Sequence, residues 1–179
     1  MHAPLLAVLV LAATVDPRLA EPLRLLGEAR DANGAAVGAE YAELPEALGL
    51  TLRVAALPPR AGGHYDPRTR TLTMAEELLS EDPRVLSVGL VHELRHAADL
   101  DQVARGLLTR DCLDWEARAF EAQAIVARAL WPEELPAATE WERGIAGTVQ
   151  LHDQGGVDGL RAWLEQSKEY RRMCAQSGV

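Results

Sequence analysis

His92-Glu93-Leu94-Arg95-His96 is the stretch around which the chain is organised. Residues four apart on a helix lie one above the other, so His92 and His96 share a face and can grip one metal ion. Glu93 lies one position further round, within reach of a water on that metal. The helix carrying them opens at Glu81-Asp82-Pro83, with Asp82 as cap and Pro83 in the first helical position. From Val85 to Val91 its residues are apolar or small on every side, which predicts a helix buried all round. Two imidazoles and a carboxylate there are costly unless something compensates, and a metal ion does so.

A metal held in this way needs a third protein ligand, and the next helix offers one. Asp111 starts it after a loop through Gly106 and Thr109, and Pro132 stops it beyond Leu130. Steps of 100° place Glu116 on a face with Cys112, Leu113, Ala119, Phe120, Gln123, Ala127 and Leu130, where it is the only charge. Asp114, Arg118, Glu121 and Arg128 gather opposite, on the side expected to face solvent. A carboxylate aimed into a core is usually paired or metal-bound. Glu116 is therefore the expected third ligand, with a buried salt bridge or a half-exposed rim position as the alternative. Twenty residues separate it from His96, room for a loop and an antiparallel return. Asp99 falls on the histidine face one turn beyond His96. It could itself be a ligand, could orient a histidine ring, or could end the helix in water.

These residues resemble the gluzincin metallopeptidases. The likeness rests on the H-E-x-x-H run from His92 to His96 and on Glu116 within Glu116-Ala117-Arg118-Ala119. The local pattern His96-Ala97-Ala98-Asp99, with Cys112 shortly before Glu116, is also similar to compact metallopeptidase-like proteins of bacteria and mitochondria. The likeness spans roughly Tyr65 to Arg128, about a third of the chain. The metzincin pattern fits less well, because it wants Gly at position 99 and His or Asp at 102, where this chain has Asp99 and Gln102.

The resemblance implies a zincin-like fold, one zinc ion on His92, His96 and Glu116, and a peptide or protein substrate. It also implies Glu93 as general base, taking the proton of a zinc-bound water and passing it to the departing amine. A donor to the oxyanion is required as well, and His64, Tyr65, His152 and Tyr170 are the candidates. Each of the four has a plain surface or packing role as its alternative. In the family an edge strand holds extended substrates by main-chain pairing, and the strand from Leu72 to Met74 is the one expected to do so here.

The remaining elements complete an α+β expectation that is mostly helical. A helix follows Asp16-Pro17 through Leu19, Leu23, Leu25 and Leu26 and ends near Gly27 or Asp31. Asp31-Ala32-Asn33-Gly34 is a turn, the residues to Tyr41 a loop, and Leu44 to Leu48 a single helical turn. Leu50 to Ala56 alternates with period two as a strand, stopped by Pro58-Pro59. Tyr65 to Met74 reads as a short hairpin or a strand with a free edge, with a turn at Asp66-Pro67. The expected sheet is thus small, two- to three-stranded and antiparallel, packed on the histidine helix and the glutamate helix. Two last helices, around Ala137 to Leu151 and Val157 to Arg172, are separated at Gln154-Gly155-Gly156.

Composition agrees with one compact domain. The chain has 179 residues, 48% hydrophobic, with a single Phe. Its net charge is −9, and the basic residues, of which only Lys168 is lysine, are spread out. This is no nucleic-acid footprint. Pro4 to Ala13 is an apolar run with the length of a secretory signal and too short for a stable membrane span. Residues 1–14 are expected to be such a signal, removed near Ala13 or Thr14, leaving a single zincin-like domain over 15–179. No Cys follows the run, which excludes a lipoprotein anchor. Export to the periplasm or medium is then favoured over a cytoplasmic location, the alternative being a buried first helix or a start codon placed too early. Cys112 and Cys174 either pair across a long loop or stand as separate thiols. Against catalysis stand two other readings, a non-catalytic metal-binding or regulatory module and a helical scaffold with a fortuitous motif. Glu93 speaks against the first and Glu116 against the second. No G-x-S-x-G elbow, P-loop or Cys-x-x-Cys pair offers another hydrolytic route.

Overall fold

The structure is a computed structural model that describes residues 13–109 and 111–176. The expected signal segment lies almost wholly outside these residues. Helices dominate, and they pack on one small sheet. Strand β1 is Thr14–Val15, β2 Thr51–Ala55, β3 Gly63–Asp66 and β4 Thr71–Ala75. The helices are α1 Ala20–Glu28, α2 Ala39–Leu48, α3 Pro83–Ala104, α4 Cys112–Leu130, α5 Glu140–Gln166 and α6 Lys168–Gln176.

The sheet corrects the antiparallel expectation. Its order is β1-β2-β4-β3, and β1 with β2 and β2 with β4 run parallel. Only the β3–β4 hairpin is antiparallel, pairing Gly63 with Met74 and Tyr65 with Leu72. Its turn is held by Asp66, whose carboxylate accepts from the Arg68 amide and the Thr69 hydroxyl. The loop through Pro58 and Pro59 is long enough to carry the chain past one strand position, so β4 fills the gap beside β2. β4 is therefore internal, and Leu72 and Met74 are fully buried beneath it. The free edge on that side belongs to β3, not to the strand from Leu72 to Met74. β1 adds a fourth strand that begins within the expected cleavage region, with the Thr14 amide donating to the Leu50 carbonyl.

Helix α2 is also longer than expected. It spans ten residues with Pro45 inside it, where one helical turn from Leu44 to Leu48 is expected. Buried Tyr41 and Pro45 pack that helix on the core, so tertiary contact overrides the local preference. Helix α5 begins at a capping box, with the Thr139 hydroxyl accepting from the Glu142 amide and Glu142 reaching back to the Thr139 amide. It bends at Gly156, whose φ of +59° suits glycine, and this is the break expected around Gln154-Gly155-Gly156. A further break at Ser167 divides the last expected helix and sets α6 apart.

Helix α3 begins as expected, with the Asp82 carboxylate accepting from the Arg84 amide and Pro83 in the first turn. Val85, Leu86, Val88, Leu90 and Val91 are all buried, which covers every side of its first half. Helix α4 returns alongside it. Arg84 meets the Leu130 carbonyl, His92 meets Gln123, and Asp99 meets Arg118, a descending register that makes the pair antiparallel. On its other flank α4 packs on α5, where Ala117, Phe120, Leu160 and Leu164 form a second small core. So α4 is buried on two sides rather than one, and Arg118 on the supposed solvent face is largely covered.

Candidate metal centre

Two turns of α3 and one of α4 meet where the helices cross beneath β3. Nε2 of His92 and Nε2 of His96 stand 3.2 Å apart. One Glu116 carboxylate oxygen is 3.5 Å from Nε2 of His92, and the other is 3.5 Å from Nε2 of His96. One ligand atom from each residue lies within 4.8 Å of the others. Donors at 2.0–2.1 Å around a tetrahedral zinc stand about 3.3 Å from one another, so the spacings fit. Two imidazole nitrogens facing each other beside a carboxylate also repel unless a cation or proton lies among them. The donor set suits zinc, a borderline-soft ion that favours nitrogen and carboxylate ligands. The three side chains keep only 13–16% of their surface exposed.

Electrostatics follow from this crowding. Burial raises the Glu116 carboxyl, yet the His92 hydrogen bond and the charges of both histidines hold it below the usual range. Burial presses His92 down, but Glu116 and its other acidic neighbour, Glu93, leave it raised. His96 is held down to about 4, by burial first and by His92 next.

Glu93 lies just off this triad and is itself buried. Burial pushes its carboxyl up to about 7, against the pull of His92 and of the Tyr65 main-chain amide. Its seat is made by Gly63: a β-carbon there would stand 2.5 Å from Cγ of Glu93 and 2.8 Å from Oε1. Only a residue without a side chain lets β3 pass so close to this carboxylate.

The ring of His92 is oriented by Gln123, whose Oε1 stands 3.2 Å from Nδ1. An amide oxygen only accepts, so Nδ1 carries the proton and Nε2 keeps its lone pair for a metal. Phe120 meets the same ring edge-on at 4.7 Å. Gln123 lies on the Glu116 face, seven residues on, and that spacing could have marked it as the residue holding the ring.

Asp99 serves elsewhere. It is fully buried, accepts from Nε of Arg118 at 3.1 Å, and stands 3.1 Å from Nε of Arg95, which is out of line for a hydrogen bond. Arg95 in turn reaches the Tyr41 hydroxyl. This network ties α2, α3 and α4 together and touches neither imidazole, so the expected orienting role falls to Gln123 instead.

The four oxyanion candidates separate. His64 is exposed and lines a shallow depression on the outer face of the sheet with Arg53, Asp66 and Thr71, although its charge still reaches His96. Tyr65 lends its backbone to Glu93 while its ring packs on the main core. His152, on α5, faces Glu121 of α4 at 4.0 Å. Tyr170 alone has its ring in the cluster that borders the triad, 5.7 Å from Phe120 and 5.5 Å from Trp163. Burial raises its phenol, and the charges of Glu116, Glu169 and Glu93 add to that shift.

Cys112 and Cys174 form a disulfide, joining the first turn of α4 to α6. No helix among the described residues is long and apolar enough to cross a membrane. No protein-family model, curated protein or solved structure matches this chain.

Proposed function

We propose that the chain is a zinc-dependent metallopeptidase of gluzincin type, with a zincin-like domain in which His92, His96 and Glu116 hold one zinc ion. The observation that carries this is the convergence of those three donors at zinc-like spacings with the buried Glu93 carboxylate beside them. Zinc in this site supplies a Lewis acid for the scissile carbonyl and lowers the pKa of a bound water.

Glu93 is the general base. A buried carboxylate beside the three donors can accept the proton of the attacking water and give it up to the departing amine nitrogen. Gly63 and the Tyr65 amide fix where that proton is taken. Gln123 keeps the Nε2 lone pair of His92 available. Tyr170 is the donor best situated to meet negative charge developing on the carbonyl oxygen, since its ring lies next to the cluster that borders Glu116. The free edge of β3 offers main-chain groups to an extended peptide. A disulfide favours an oxidising compartment, in line with export.

The test compares wild type with Glu93→Gln on a labelled unfolded protein. Glu93→Gln should retain zinc and lose turnover by roughly 10²- to 10⁴-fold. Equal turnover by the two forms assigns any activity to something else and ends this proposal.

A further inference from the structure

Helix α6 is joined to the rest of the molecule chiefly by one covalent bond and by the packing of Tyr170. None of its residues is buried. At Ser167 the backbone turns extended, with ψ of 119°, so α6 leaves α5 through a joint rather than continuing its rod. Its Cys174 and Tyr170 then bring it back over α4 and against α5. Cys174 is bonded to Cys112, and Tyr170 packs with Phe120 and Trp163. Tyr170 and Cys174 are one helical turn apart, and so are Cys112 and Glu116. The disulfide therefore sets the face of α6 that bears Tyr170 over the face of α4 that bears Glu116. Phe120 touches both the Tyr170 ring and the His92 ring, and the charges of Glu116 and Glu93 reach the phenol.

We infer that α6 is a strap across the His92–His96–Glu116 site, tied down by the Cys112–Cys174 bond and released when a dithiol reduces it. The inference rests on the function proposed above only for what the strap covers. In the exchange, one thiolate of the dithiol attacks a cysteine sulfur, and its second thiol resolves the mixed disulfide. The Cys112–Cys174 bond breaks, the dithiol closes to a disulfide, and two electrons and two protons pass to the cysteines. Once untied, nine residues with no fully buried side chain are too few to persist as a helix in water. Tyr170 then leaves the site, and the histidines gain solvent. The main core does not involve α6 and keeps its packing.

Hydrogen exchange on the full chain, before and after dithiothreitol, measures this directly. Reduction should speed exchange of residues 168–176 on the order of tenfold or more, leave α3 and α4 protected, and be reversed by reoxidation. With any metal first removed by a chelator, diethyl pyrocarbonate should modify His92 and His96 faster in the reduced chain, by a similar factor. The double variant Cys112→Ser with Cys174→Ser should match the reduced protein without reductant. Tyr170→Ala with the bond intact should speed histidine modification yet keep exchange of 168–176 within about twofold of wild type. Unchanged exchange at 168–176 on reduction overturns the strap. So does loss of protection throughout α3 and α4, which makes the bond a staple of the whole fold. Release of α6 with no change at the histidines overturns it too. Zinc content measured on the same samples reports separately on the metal site, so its failure leaves the strap result legible.

Discussion

The backbone of Gly63 lies directly against the carboxylate of Glu93, so near that a β-carbon would stand 2.5 Å from Cγ. An edge strand and the proposed base are thereby built as one unit. Gly63→Ala should push Glu93 from its seat or lift β3 off α3. We expect a stability loss of about 1–3 kcal/mol, as for other overpacked sites, and a fall in turnover with zinc content unchanged. Thermal unfolding and metal analysis on one preparation check both halves. Wild-type turnover in Gly63→Ala would show that this contact does not position the base.

Gln123 and Asp99 make opposite predictions. Gln123→Leu removes the acceptor on Nδ1 of His92 and should weaken zinc binding by about 10- to 100-fold. Competition with a chromophoric chelator measures this.

Asp99→Ala should leave zinc affinity within about tenfold of wild type, because its carboxylate meets guanidinium groups and no imidazole. Its cost falls on stability instead. Stripping a buried carboxylate from Arg95 and Arg118 should destabilise the fold by about 3 kcal/mol, seen as a lower denaturant midpoint. A Gln123-sized loss of affinity in Asp99→Ala would return it to the role of orienting a histidine.

Without metal, Glu93 should leave a signature in the pH dependence of folding. Its carboxyl titrates at about 7 when folded, against 4.5 for an ordinary Glu. Between those values the folded state binds the extra proton, so this contribution to stability is present below pH 4.5 and is lost as pH rises through 7. His96 acts in the reverse sense. Its pKa of about 4 when folded, against 6.5, makes stability rise with pH over that interval. Chelated wild type should therefore lose ground to Glu93→Gln as pH climbs from 4.5 to 7, by up to about 3 kcal/mol. Parallel stability profiles would place Glu93 in a more solvated setting.

The helical part of the site was legible because its signals are local. The spacing of His92 and His96, the Asp82-Pro83 cap and the 100° placement of Glu116 each depend on one helix alone. What needed the whole chain was harder to read. The parallel pairing of β2 with β4 joins residues twenty apart and decides which strand of the hairpin is outermost. Two residues of β1 carry too little pattern to register beside an apolar run. The partner of Asp99 is Arg118, which the helical periodicity puts on the solvent side, and only the packing of α4 between α3 and α5 turns it inward. Tyr170 could not be separated from His64, Tyr65 and His152 until the disulfide had placed α6.

Zinc content of the purified chain tests the central claim most directly, measured beside His92→Ala, His96→Ala and Glu116→Ala. The account predicts one zinc per wild-type chain and loss of it in all three variants, with folding retained by circular dichroism. A wild-type chain that takes up no zinc, or a Glu116→Ala chain that binds it as tightly as wild type, would contradict the three-residue site.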